Sequence, residues 1–230
     1  MRQLLLDLLP EFQPSLENFL ESAGNAETLA ALNQWLVAGN DFCFFLWGER
    51  GSGKSHLLAA SGFTYGFVYV DAGLDADLAS LPPENLPSGL AVDRVEALSA
   101  TGQIALFNAF NRLKEAGGSL LAAAGDAPAR LRLREDLRNR LGSGLIYRLV
   151  ALSDTEKAAV LTRKAIERAM PLTPEVLEYL LARAPRDLPT LSALLAALDR
   201  SALEAKRPIT LPLLRDLLRQ TLAEPVSLES

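Results

Sequence analysis

Eight consecutive residues, Gly48-Glu49-Arg50-Gly51-Ser52-Gly53-Lys54-Ser55, have the types and order of a phosphate-binding loop. In such a loop successive backbone N–H groups converge on an anion, and the helix that follows adds the positive end of its dipole. Gly48 opens the motif, and Gly51, Ser52 and Gly53 let the backbone come close to phosphate oxygens. Lys54 reaches the outer phosphates, and Ser55 carries a hydroxyl suited to Mg²⁺. His56 begins the run His56-Leu57-Leu58-Ala59-Ala60 and is grouped with the nucleotide contacts. A carboxylate for the metal is then due at the end of a neighbouring strand, and Leu90-Ala91-Val92-Asp93 supplies it. Taken alone, Asp93 also fits an ordinary strand-end acid. A hydrolysing enzyme usually places a second acid next, to orient water. Here Arg94 stands in that position, with Glu96 two residues further. A cation there neither activates water nor tolerates Mg²⁺ nearby, so poor or absent intrinsic hydrolysis is expected.

A second set of residues lies further along. Ala129 to Arg140 is dense in arginine, and most of it reads as a solvated helix: Arg134 and Arg138 are four apart, balanced by Glu135 and Asp136. Arg140 differs because it ends the pattern, just before Leu141-Gly142-Ser143-Gly144. From that edge an arginine could project into a neighbouring subunit's phosphates, where a planar guanidinium stabilises transition-state charge. The solvated-helix reading stays open for it as well.

Elements able to position these groups can be read from periodicity. Short apolar runs at 42–47, 67–71, 89–93, 119–124 and 145–150 predict strands, and helical patterns near 27–37, 54–60, 101–116 and 132–140 lie between them. That alternation predicts an α/β domain with a parallel sheet. Leu81 to Pro87, with three prolines, must be loop. After residue 152 the pattern is helical only. Ser153 and Glu156 form a capping-box signature, Thr173-Pro174 supplies a hydroxyl cap and a first-turn proline, and Thr210 opens a last helix. Leu188, Leu191, Leu194, Leu195 and Leu198 recur at helical spacing.

Composition bounds the function classes. A hydrophobic content of 49% supports a real core, and no apolar run reaches the roughly 18 residues a membrane helix needs. The start has no cleavage-site pattern, and the single Cys43 cannot form an internal disulfide, so a cytoplasmic protein is expected. The net charge of −5 argues against strong direct DNA binding, which draws on a basic surplus.

In their order these motifs resemble the DnaA-related AAA+ ATPases, and within them the regulatory proteins that inactivate the initiator DnaA. The resemblance runs through Gln3–Leu8, Pro14–Phe19, the phosphate loop with Ser55-His56-Leu57-Leu58, and Asp93. It continues through Phe107-Asn108-Ala109-Phe110-Asn111, Gly125-Asp126-Ala127-Pro128, Leu137–Leu145 and Leu198-Asp199-Arg200. It implies an AAA+ αβα sandwich with a five-stranded parallel sheet in the order 5-1-4-3-2, followed by a small helical lid. The implied divisions are 1–12 for a clamp-binding peptide, 13–152 for the nucleotide-binding domain and 153–230 for the lid.

The resemblance assigns Asp126 to the γ-phosphate side and Arg140 to the arginine finger. An adenine nucleotide (ADP or ATP) with Mg²⁺ is the implied cofactor. Arg94 in place of an acid agrees with the regulatory branch. The family's lid arginine falls on Pro189, and Arg186, one turn earlier, is its substitute. Gln3, Leu4, Leu5, Leu6 and Leu8 are similar to the glutamine-and-leucine peptides that bind the DNA polymerase III β sliding clamp, although the leucines could instead fold back as a short helix. The implied partners are DnaA and the clamp, with a homodimer also open, in the bacterial nucleoid and replisome. An initiator would continue past residue 230 into a DNA-binding domain. The alternatives are a free-standing AAA+ ATPase for DNA loading or remodelling, and an adaptor whose phosphate loop is vestigial.

Overall fold

The structure, a computed structural model, describes residues 14–16, 19, 21–39, 41–81, 87–184 and 188–222. Two compact units form, one holding the sheet (Gln13–Ala151) and one holding the helices after Leu152. Five apolar runs become β1 (Cys43–Trp47), β2 (Val68–Asp71), β3 (Gly89–Asp93), β4 (Ser119–Ala124) and β5 (Leu145–Arg148). They pair in parallel in the order β2-β3-β4-β1-β5, which is the implied 5-1-4-3-2 order counted from the other edge. β1, β3 and β4 are buried nearly throughout, whereas β2 and β5 are partly exposed, as edge strands are.

Each central strand feeds two cores, because alternate residues point to opposite faces. Cys43 and Phe45 of β1 join Leu120, Ala122 and Ala124 of β4 on one face, under the helices α3 (Ala100–Glu115) and α4 (Glu135–Leu141). Phe44 and Leu46 join Leu121 and Ala123 on the other, under α1 (Ala26–Ala38) and α2 (Lys54–Tyr65). Sizes are complementary across the pair: Phe45 stands opposite Ala122 and Leu46 opposite Ala123. Burial pushes the Cys43 thiol up to about 12, so it is a packing group with little thiolate at neutral pH.

Three boundaries differ from the sequence pattern, the first because α2 runs on to Tyr65, past the expected end at 60. β5 stops at Arg148, since the backbone of Val150 is taken by a side chain. Asn25, fully buried, donates from Nδ2 to Val150 O (3.0 Å) and accepts at Oδ1 from Val150 N (2.9 Å). The helix expected over 132–140 starts later, at Glu135. Leu131, extended, and Leu133 are buried ahead of the helix, and Arg134 N donates to Gln103 Oε1 (2.8 Å). Residues 82–86 of the proline-rich loop lie outside the described residues.

The second unit has α5 (Asp154–Glu167), α6 (Pro174–Arg183), α7 (Leu188–Ala205) and α8 (Leu211–Leu222) around Leu161, Leu180, Leu191, Leu195, Leu198 and Leu214. The capping box forms: Glu156 N donates to Ser153 Oγ (3.2 Å) and Ser153 N to Glu156 Oε2 (2.8 Å). Thr173 departs from expectation. Pro174 opens α6, but the Thr173 hydroxyl makes no cap bond and faces Glu175 instead, at 3.4 Å. Among the described residues no helix is long and apolar enough to cross a membrane.

Phe44 tests the two-faced core. It is fully buried, stacked on Tyr147 (5.2 Å between centroids) and tilted against Trp35 (5.4 Å). Phe44→Ala should lower stability by about 3–5 kcal/mol, read from urea unfolding.

Candidate nucleotide site and arginine edge

The phosphate loop leaves the C-terminal end of β1 and folds tightly. Gly48 N donates to Ala124 O (3.3 Å), and a Cβ at Gly48 would lie 2.1 Å from Leu149 O, so the first position accepts glycine alone. Gly53 adopts φ 101°, and a Cβ there would meet the Phe19 ring at 2.5 Å. Phe19 thus stands over the loop. Its ring also lies 5.7 Å from that of His56, whose Nε2 is 2.8 Å from Ser15 O. His56 is therefore engaged by the segment that precedes the first helix. Phe19 was visible in the sequence only as part of a matching segment; its position over Gly53 required the fold.

Lys54 reaches across the loop, donating to Gly48 O (2.7 Å), Glu49 O (2.9 Å) and Ser52 Oγ (3.3 Å). Burial lowers its pKa, while the charges of Asp93 and Glu96 act in the opposite direction. Ser52 is buried, and Ser55 is exposed on the first turn of α2. Asp93 is 1% exposed at the end of β3, where it accepts from Arg94 N (2.9 Å) and from Tyr69 OH (3.3 Å). Burial first, then the Asp93 charge, pushes the Tyr69 phenol well above its ordinary range. Mg²⁺ bound with a nucleotide keeps several waters and takes few protein oxygens, and the Ser55 hydroxyl with the Asp93 carboxylate matches that donor set. Among the described residues no group of three or more His, Cys, Asp or Glu forms a separate metal cluster.

Arg94 does not act as its place in the sequence suggests. It takes a left-handed backbone conformation (φ 54°, ψ 47°), and its guanidinium grips Asp71 at the end of β2 with both Nε (2.6 Å) and an Nη. Gly73 makes room for it, since a Cβ there would be 2.1 Å from Arg94 Cζ. With that cation tied to β2, the following turn brings Glu96 round. Glu96 Oε1 accepts from Gly125 N (3.0 Å), and its charge acts on Lys54 alongside Asp93. Glu96 is thus the second carboxylate near the loop, three residues after Asp93 rather than one. Asp126, next to Gly125, accepts from Ala127 N (2.8 Å) and faces Arg130 at 3.7 Å.

Arg140 is built by a different part of the sheet unit. It lies in the last turn of α4, and its guanidinium lies over Phe107 (4.5 Å from the ring centre) and Phe110 (5.4 Å) of α3. Phe110 is buried and meets Phe42 edge-on at 4.7 Å, which ties the platform to the start of β1. Ser143 Oγ donates to Arg140 O (2.7 Å), fastening the turn after the helix. Phe107, Phe110, Arg140 and Ser143 are among the residues lining an open groove of about 350 Å³. Arg186 and residues 3–8 lie outside the described residues.

Residues 154–218 match the sequence profile of the lid domain of Hda. An uncharacterised protein of Haemophilus influenzae is 34% identical over 186 residues, which span 76% of this chain and 80% of that one. The chain belongs to the Hda-like, DnaA-related AAA+ family. Solved structures show the same fold. Domain III of the Thermotoga maritima replication initiation protein DnaA is 20% identical with a TM-score of 0.71, over 94% of this chain and all but 1% of that one (99% covered). AMPPCP-bound DnaA from Aquifex aeolicus is 23% identical with a TM-score of 0.65, over 86% of this chain and 68% of that one. The T. maritima RuvB Holliday junction branch migration motor is 18% identical, with a TM-score of 0.61 over 90% of this chain and 72% of that one. In this fold the phosphate loop follows β1, which lies between β4 and the edge strand β5, and Arg140 lies on α4.

Gly53 offers a direct test of the loop. Gly53→Ala forces a side chain into a left-handed position beneath Phe19 and should cost about 1 kcal/mol or more of stability. Fluorescent ADP titration of the same variant should show affinity at least about tenfold weaker, equivalent to about 1.4 kcal/mol.

Proposed function

We propose that this chain is a regulator of chromosome replication initiation that stimulates ATP hydrolysis by DnaA in trans. It binds an adenine nucleotide, ADP or ATP with Mg²⁺, at the loop around Lys54, with Ser55 and Asp93 on the metal side, Asp126 beside the γ-phosphate and Arg186 from the lid. Gln3, Leu4, Leu5, Leu6 and Leu8 attach it to the DNA polymerase III β sliding clamp on DNA. Arg140 then enters the ATP site of a DnaA protomer as an arginine finger, and hydrolysis there switches the initiator off and prevents re-initiation.

The observation that carries this reading is the setting of Arg140. Its contacts are with Phe107 and Phe110 in an open groove. The carboxylates that act on Lys54 are Asp93 and Glu96. An arginine held by contact with aromatic rings, which accept no N–H bond in the guanidinium plane, keeps donors for an anion brought from outside. The chemistry is the partner's: as charge spreads onto the equatorial oxygens of the transferring phosphoryl group, the guanidinium neutralises it. Arg140→Ala should retain clamp binding and lower stimulated DnaA hydrolysis by about a thousandfold, or to the basal rate. Undiminished stimulation by that variant would sink the mechanism.

Glu96 supports a second reading, a free-standing ATPase for DNA loading or remodelling, because it returns a carboxylate to the vicinity of Lys54. That reading requires turnover by the isolated chain near about 1 s⁻¹, within the ordinary enzyme range, and its loss in Glu96→Gln. Absence of turnover in the wild type leaves the regulator.

A further inference from the structure

The groove that holds Arg140 contains another cation. Lys114, exposed in the last turn of α3, lines it together with Phe107, Phe110, Asp136, Asn139 and Arg140. The carboxylate among these, Asp136, is engaged by Arg134, whose Nη2 lies 2.7 Å from Oδ2 and whose Nε lies 3.2 Å from Oδ1. Among the described residues neither Lys114 nor Arg140 has a carboxylate within ion-pair distance. The groove therefore presents two positive charges from two helices, neither in an ion pair among the described residues, against one carboxylate that Arg134 already holds, on a chain whose net charge is −5. A local cationic groove on an acidic protein marks where an anion is received.

We infer that Lys114 is a second recognition cation of this groove, acting with Arg140 on the phosphates of a nucleoside triphosphate held by a neighbouring AAA+ protomer. The inference rests on the trans reading of Arg140 given above. The two side chains divide the work by their chemistry. Arg140, its Cζ 4.5 Å from the centre of the Phe107 ring, offers a planar set of donors and sets geometry at the reacting phosphoryl group. Lys114 is a compact point charge on a flexible stem. It suits the capture of spread phosphate charge and contributes to the choice of a triphosphate-loaded partner over a diphosphate-loaded one. Its loss should therefore act on the encounter rather than on the chemical step.

The test uses the full chain, clamp-loaded DNA and DnaA loaded with either ATP or ADP, comparing wild type with Lys114→Gln, Lys114→Arg and Arg140→Ala. With Lys114→Gln, the concentration giving half-maximal stimulation of ATP-loaded DnaA should rise roughly three- to tenfold while the maximal rate changes less than about twofold. In pull-down, the preference for ATP-loaded over ADP-loaded DnaA should narrow. Lys114→Arg should restore most of the effect, and the gap between wild type and Lys114→Gln should contract at about 0.5 M salt, where exposed charges are screened. An unchanged half-maximal concentration for Lys114→Gln, beside a dead Arg140→Ala, overturns the inference and leaves the trans reading standing. A shift of equal size toward both nucleotide states also overturns it, because the groove would then be meeting an acidic protein surface. Wild-type stimulation by Arg140→Ala would remove the trans reading, and the role of Lys114 with it.

Discussion

Parallel pairing of β1, β3 and β4 obliges the loops after Trp47, Asp93 and Ala124 to emerge on one rim of the sheet, and the chemistry of the domain is built from what those loops carry. The first brings the phosphate loop, the second a buried acid and its neighbours, and the third Gly125 and Asp126. None of these groups is near another in sequence. They meet because large residues of β1 lie against small residues of β4, and because both faces of the central strands are sealed by helices. Loss of that pairing would disperse the site before it altered any ligand contact.

Charge on the rim is arranged by one backbone turn. The left-handed conformation of Arg94 sends its guanidinium to Asp71, so a cation that would oppose Mg²⁺ is balanced on β2. The same turn carries Glu96 to Gly125 and into the field of Lys54. Lys54 then stands between burial, which favours its neutral form, and two carboxylates, which favour its charged form. The direction of its shift shows that burial prevails. A folded pKa below the unfolded value makes the charged lysine a cost to folding at pH values under that pKa, a cost relieved as pH rises through it. Bound phosphate offsets the same cost with opposite charge.

Much of this was legible in the sequence, and what escaped it has a physical reason. The phosphate loop, the strand ending in Asp93 and the capping box at Ser153 are local, with spacing that states their geometry. The strand order needed resemblance to known proteins, since periodicity cannot say which strands are neighbours. By its place in the chain Arg94 reads as a cation beside the metal, because a positive φ and a partner on β2 cannot be seen in a linear string. Glu96 was noticed but given no role for the same reason. The delayed start of α4 escapes the pattern because Leu133, Leu137 and Leu141 are four apart, which carries helical spacing back past the true start at Glu135. The aromatic bed of Arg140 joins α3 to α4 across more than thirty residues (Phe107 to Arg140), a juxtaposition only packing creates.

Asn25 illustrates how finely a single buried atom can be specified. Its amide gives a proton to Val150 O and takes one from Val150 N, with no exposure to solvent. Substitution by aspartate nearly preserves size and shape. It would set a carboxylate oxygen against a carbonyl oxygen in a place water does not reach. The position therefore tells an amide from an acid by the loss of one donor, at the point where the chain leaves the sheet.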